Sequence, residues 1–525
     1  MPLFDLPNEL LQHISESLEL EGDINALTRT NRHLYNLLNP YLYRHNIRLF
    51  RSSALSWAAK RGQEGTVQKL LGARADTKTR DKHGYTPLLL AIMEGHKTIV
   101  ELLLAEDDFN LDSKDSTLPT LLSHAAWRGY EAVIKLLLSK DDVDPDSKDI
   151  TLRTPLWWAA EGGHEAVVKL LLSKDGVNPN AKDDQRKTPL LVAAQGGHEA
   201  VVKLLLSRDD VDPDPESRWG WTPLLAATEG GHKAVVKLLL SKDNVNPDYG
   251  SRTPLSWAAE KGYEALVKLL LSRNDVDPDS KDSQLRTPLS WAAEKGHEAV
   301  VKLLLSRDDV NPNSRTYRGL TPLMYAATAG HDVVVKLLLS KDNIDADSGD
   351  MYEGSPLWRA VKMGNETVVK LLLSRDDVDP DSKDLELRTP LSYMAEEGCE
   401  ALVKLLLASG RVDPNSNHAG GRTPLSYAAE GGHETVVELL LAQDRVDPDI
   451  KDHIGFTPLS WAAQEGHVAV VKMLLAKDGV DINSKDHRGR TPLSLAKEAS
   501  RGWLWRGDGY EAVIKLLTPL KNKQT

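Results

Sequence analysis

The 525-residue chain has a single cysteine, Cys399, which excludes an internal disulfide framework and fits a reducing compartment. No apolar run approaches the roughly 20 residues of a membrane span. The N-terminal stretch is interrupted by Asp5, Glu9, Glu16 and Glu19, so it does not read as a secretory signal. Positive charge is in deficit. A net charge of -12 and a pI near 5.8 remove any general attraction to nucleic acid or anionic membrane, and favour a neutral or basic protein partner. Glycine-rich phosphate loops, nucleophile elbows and metal-ligand clusters are missing as well, so no catalytic residue, metal or cofactor is expected. Together these absences predict an intracellular protein, cytoplasmic or nuclear, that is not an enzyme.

What the chain has in abundance is repetition. The stretch from Arg286 to Ser314, RTPLSWAAEKGHEAVVKLLLSRDDVNPNS, recurs in close copies from residue 51 onward. Registered on the threonine of Thr-Pro-Leu, fourteen copies start at positions running from Ser53 and Thr86 to Thr457 and Thr491, mostly 34 residues apart. Each copy predicts two helices. The Thr287 hydroxyl can cap the first, Pro288 suits its first position, and Gly296 ends it about two turns later. Leu289, Ala292 and Ala293 share one face, where small alanines admit a close neighbour. The second helix, Glu298 to Ser306, is apolar around most of its circumference, with a narrow wet stripe of Glu298, Lys302 and Ser306. Asp309 to Ser314 reads as a turn or hairpin leading to the next copy.

A period near 33 with Thr-Pro-Leu, Ala-Ala, Gly-His and Leu-Leu-Leu resembles the ankyrin repeat, over about nine-tenths of the chain. The histidine usual after Thr-Pro-Leu is mostly Ser, Leu or Trp here, which alters the surface at that position. The expected fold is all-α with short hairpin loops, an α-solenoid of about fourteen repeats over residues 51–525. Since one copy cannot bury both of its helices, stacking must supply the core, and at roughly 10 Å per copy the array would reach on the order of 130 Å.

Residues 1–50 lack the repeat signature and predict two or three short amphipathic helices. Their opening, Leu6, Pro7, Glu9, Leu10, Leu11 and Ile14, resembles the F-box signature Leu-Pro-x-Glu-(Leu/Ile)-(Leu/Ile)-x-x-Ile. That resemblance implies a helical module that docks on a Skp-type adaptor of a cullin-RING ubiquitin ligase through Leu6, Pro7, Leu10, Leu11 and Ile14, while the repeats hold the substrate. Where many members have Cys-Arg-x-Trp, this chain reads Asn31-Arg32-His33-Leu34-Tyr35. The alternative is an interaction scaffold whose N-terminal helices only cap the solenoid, with no ubiquitin link.

Two columns invite chemical readings and do not sustain them. His96, His164, His198, His232, His297, His331, His433 and His467 follow the loop glycine, yet Gln63, Tyr130, Asn365 and Cys399 fill the same slot elsewhere, so a histidine bonding backbone groups is expected. The acidic turn Asp141 to Asp146 resembles a calcium loop, but Ser147 replaces the needed glycine and Arg153 the closing glutamate.

The fourth residue after each register threonine points about 150° from the packed face and is expected to be exposed. Its occupants include Trp57, Trp158, Trp257, Trp291, Tyr325, Arg359, Tyr393, Tyr427 and Trp461. Such a band either contacts a partner protein or packs against the adjacent copy and stiffens the stack. Glu260, Glu294, Glu396 and Glu430 lie beside it, and would suit a ligand carrying basic groups. Irregular copies are Thr120-Leu121-Leu122, which lacks the proline, the Val245–Thr253 connection, three residues short, and the last copy, whose added residues include Trp503 and Trp505.

Overall fold

The computed structural model describes residues 43–44, 46–47, 53–106, 120–140, 142–351, 354–418, 420–501 and 508–518. The adaptor-facing candidates Leu6, Pro7, Leu10, Leu11 and Ile14 lie outside the described residues, as do Trp503 and Trp505. Among the described residues there are 28 helices and no strand, two helices for each of the fourteen copies. The fold is all-α. The chain forms two compact units, one ending at Gly250 and the other beginning at Ser251, inside the shortened Val245–Thr253 connection.

The copy around Thr287 shows how local sequence builds the helix pair. Thr287 is extended at φ -93° and ψ 163°, and its Oγ1 accepts the Ser290 N–H at 3.3 Å, satisfying one of the donors a helix start leaves unpaired. Pro288 then opens the first, inner helix, Pro288–Lys295. Gly296 at φ 75° ends it, and the His297 N–H returns to the Ala292 carbonyl at 3.0 Å, the six-to-one bond of a Schellman motif. A side chain at Gly296 would be excluded twice, by that left-handed backbone and because a Cβ would stand 2.7 Å from the His331 ring of the next copy. Without its proline, Thr120 still caps Leu121–Arg128 by accepting the Ser123 N–H at 3.2 Å.

The outer helix of this copy, Glu298–Leu305, buries Val300, Val301, Leu304 and Leu305. Glu298, Lys302 and Ser306 are exposed as expected, and Ala299 joins them. Within the unit that starts at Ser251, inner helices pack on inner helices, Pro254–Lys261 on Pro288–Lys295 and that on Pro322–Ala329. Outer helices pair likewise, Glu264–Leu270 with Glu298–Leu305 and that with Asp332–Leu339. In the unit ending at Gly250, Leu121–Arg128 packs on Pro155–Glu161, and Glu199–Leu206 on Lys233–Leu240. Leu289, Ala292, Ala293, Val301 and Leu304 are each 0% exposed. Burial of such a leucine or valine contributes about 1.5–3 kcal/mol, shared between the contact within the helix pair and the contacts with neighbouring copies.

Candidate protein-binding face

The histidine column locks neighbouring copies together. Nε2 of His297 lies 2.8 Å from the Glu260 carbonyl, that of His331 2.9 Å from Glu294, and that of His467 2.8 Å from Glu430, in each case the end of the preceding copy's inner helix. A carbonyl only accepts, so Nε2 carries the proton and donates it. The same bond recurs in the other unit, from His164 to Trp127 at 2.8 Å and from His198 to Glu161 at 2.8 Å. No group of three or more His, Cys, Asp or Glu among the described residues is placed to hold a metal ion.

The aromatic column is less exposed than its helical position predicts. Trp57 is 58% exposed, but Trp158, Trp257, Trp291, Tyr325, Tyr393 and Trp461 are half-buried, and Tyr427 is only 6% exposed. The cause is a set of arginines standing just before the register threonine. The Arg252 guanidinium lies 4.1 Å from the Trp257 ring centroid and 3.8 Å from that of Trp291 in the next copy. Arg286 follows at 3.4 Å from Trp291 and 4.3 Å from Tyr325. Rings and cations therefore alternate across three copies, each guanidinium facing the negative π-cloud of a ring. Arg422 is set 4.2 Å from both Tyr427 and Trp461, and Arg153 4.1 Å from Trp158. Burial pushes the Tyr427 phenol up to about 12.

The rings are also held at their polar edges. The indole N–H donates to a hairpin carboxylate: Trp158 to Asp149 at 3.2 Å, Trp291 to Asp282 at 3.2 Å and Trp461 to Asp452 at 3.0 Å. Arg359, the one cation in the column, pairs with the carboxylate of Asp350, whose side chain is 0% exposed. Beside it Trp358 stacks at 5.2 Å on Tyr393 and donates to the Ser382 carbonyl at 3.0 Å.

The four glutamates read as counter-charges for a basic ligand are already paired. Glu260 binds Arg252 at 2.7 Å, Glu396 binds Arg388 at 3.4 Å, and Glu294 and Glu430 pair with Arg286 and Arg422. Each arginine reaches the glutamate eight residues on, two turns up the same inner helix, which corrects the expectation of free carboxylates. The signal was present in the sequence as Arg before Thr-Pro at 153, 252, 286, 388 and 422, each with an aromatic five residues later.

Most of the exposed large apolar residues stand instead at the hairpin tips. In the unit starting at Ser251 those at the tips are Tyr317, Met351, Leu385, Leu387 and Ile454, from 47% to 72% exposed, while Val333 and Met363 are exposed at helices. The tips join edge to edge through backbone bonds, Tyr317 N–H to Gln284 O and Met351 N–H to Arg318 O, both 3.2 Å. In the other unit Ile150, Leu152 and Trp219 are exposed, the last donating to Gln185 at 3.1 Å. A large apolar residue between turn-forming neighbours, as in Asp384-Leu385-Glu386-Leu387, was the available cue in the sequence.

The profile of the family described as Ankyrin repeats (3 copies) matches in overlapping stretches from 55–149 and 122–217 through 391–486 and 442–519. The chain belongs to the ankyrin repeat family. Ankyrin repeat proteins are in general non-catalytic binding scaffolds, and the repeats give this chain a role in protein–protein interaction. No curated protein matches the sequence significantly. Among 477 matching chains of solved structures, the human ASB11 ankyrin repeat domain aligns at 29% identity and a TM-score of 0.38, over 42% of this chain and 98% of that one. None of the described helices is long and apolar enough to cross a membrane.

Proposed function

We propose that this chain is a substrate receptor of a cullin-RING ubiquitin ligase, its N-terminal module docking on a Skp-type adaptor and its repeats holding a target protein. The observation that carries the adaptor half is the run Leu6, Pro7, Glu9, Leu10, Leu11 and Ile14, an apolar series at F-box spacing. The target half is supported by the apolar hairpin tips, where Tyr317 is 68% and Leu385 72% exposed. Within the unit starting at Ser251 the target lies across the tips and reaches the exposed parts of Trp257, Trp291, Tyr325, Arg359, Tyr393 and Trp461; within the other unit Trp57 and Trp158 offer the same kind of surface. A largely neutral, aromatic- or aliphatic-rich partner surface suits this face, since its glutamates are already paired.

The test is co-purification of the full chain with a Skp-type adaptor, alongside a Leu6→Ala, Pro7→Ala variant. Adaptor recovered with the intact chain and lost with the variant supports the receptor. If the intact chain recovers no adaptor, the scaffold reading replaces it.

A further inference from the structure

One hairpin column carries an orphaned group. The residue after the hairpin proline, or after Ala346 in one copy, accepts a backbone N–H from the next copy. The distance is 2.9 Å from Asp345 N to Asn313 Oδ1, 3.0 Å from Asn311 N to Asp279 Oδ2 and 2.8 Å from Asp413 N to Asp381 Oδ2. Where this residue is Asn, its Nδ2 makes a second bond to the carbonyl 30 residues on: Asn180 to Asp210 at 2.6 Å, Asn313 to Asn343 at 2.7 Å and Asn415 to Arg445 at 2.6 Å. Where it is Asp, an oxygen takes the place of that donor. Oδ1 of Asp214, Asp279, Asp347, Asp381 and Asp449 is buried without a hydrogen-bond partner. In the register of the Asn copies the group opposite Asp347, Asp381 and Asp449 is the carbonyl of Asp377, Arg411 and Gly479. A carboxylate oxygen facing a carbonyl oxygen repels it, whereas a carboxylic acid donates one proton into the same gap.

We propose that these aspartates form a proton-operated clamp between neighbouring repeats: as pH falls, each carboxyl takes up a proton on Oδ1 and donates it to the facing carbonyl, closing the bond that Asn313 and Asn415 keep closed at every pH. Their surroundings favour the uptake. Burial, opposed only in part by the backbone N–H of Asp379, Asp413 and Asp481, pushes Asp347, Asp381 and Asp449 up to about 6. Like charges add to it: Asp379, Asp345 and Asp377 face Asp347; Asp379 and Asp413 face Asp381, against Arg445; Asp481 and Asp447 face Asp449, against Lys451. Burial raises Asp146, Asp214 and Asp279 in the same direction.

A carboxyl raised in the folded state stabilises it fully below the unfolded value of 3.8, and that contribution is lost as pH rises through about 6. Acidification from neutral pH to 5 therefore tightens the stack. Asp486 works in the opposite sense and in another window, because its lowered carboxyl gives up stability only below 3.8.

The experiment compares full-length wild type with Asp347→Asn, Asp381→Asn, Asp449→Asn, by urea unfolding at pH 7.5 and pH 5.0. The wild-type midpoint rises on acidification, by about twofold to tenfold in the unfolding equilibrium per carboxyl once solvent screening is counted. The triple variant is more resistant than wild type at pH 7.5 and loses most of the rise. All histidines are common to both chains, so the difference isolates the three carboxyls. In the converse variant, Asn415→Asp, the midpoint falls at pH 7.5 and recovers toward wild type at pH 5.0. Parallel pH responses of wild type and triple variant, or no pH-dependent loss in Asn415→Asp, overturn the clamp.

Discussion

Truncating Arg286 to alanine removes three interactions at once. Its guanidinium sits between Trp291 and Tyr325, 3.4 Å and 4.3 Å from the ring centroids, and pairs with Glu294, while its side chain is 9% exposed. At this burial each cation–π contact is worth about 1 kcal/mol. Loss of the partner to the 32% exposed Glu294 costs about 0.5–1 kcal/mol more. The buried methylene stem contributes a further increment through packing, so the whole comes to about 3 kcal/mol. Arg286→Lys keeps the charge without the planar stacking group and recovers about half. Because contacts in a stacked array are mostly between nearest neighbours, hydrogen exchange resolved by peptide localises the loss. Protection of Pro288–Lys295 and Pro322–Ala329 should fall by about 100-fold, the equivalent of about 3 kcal/mol. The exposed helical pair Lys302–Glu298 serves as control, where Lys302→Ala should cost no more than about 0.5 kcal/mol. Protection within threefold of wild type in Arg286→Ala would refute the structural role given to the stack.

Trp291→Ala should cost about 3–4 kcal/mol, because the ring is sandwiched by Arg252 and Arg286 and bonded to Asp282; urea unfolding measures it. Leu387, 47% exposed at φ 60°, occupies a left-handed position, so Leu387→Gly should raise stability by about 0.5–1 kcal/mol, read from the same transition. Thr287→Ala removes the cap of a fully buried helix start and should cost about 1–2 kcal/mol, seen as faster exchange in Pro288–Lys295. Tyr317→Ser with Leu385→Ser should leave thermal stability within about 1 °C of wild type while weakening target capture at least tenfold, measured by quantitative pull-down.

Helix placement was legible because its determinants are local. Thr287, Pro288 and Gly296 fix the inner helix without reference to any neighbour, and the structure starts and stops it there. The role of the histidines was legible too, since Gln63 or Cys399 in the same slot argues against a shared ligand set, and the rings bond carbonyls. The fate of Trp291 was not. Angular position on one helix says which way a side chain leaves the backbone, but its burial is set by Arg252, a residue from the preceding copy reaching across. Glu294 was misread for the same reason, its partner Arg286 lying eight residues back across the helix cap. The exposed tips escaped because an apolar residue in a turn has no periodicity to announce it, as with Leu385.

Central to this account is that arginines clamped between rings join one repeat to the next. A double-mutant cycle on Arg422→Ala and Trp461→Leu tests it most directly, since the guanidinium and the ring lie 4.2 Å apart in consecutive copies and the single variant at Trp461 already removes its bond to Asp452. The account predicts a coupling of about 1 kcal/mol between the two. Strictly additive losses would contradict it.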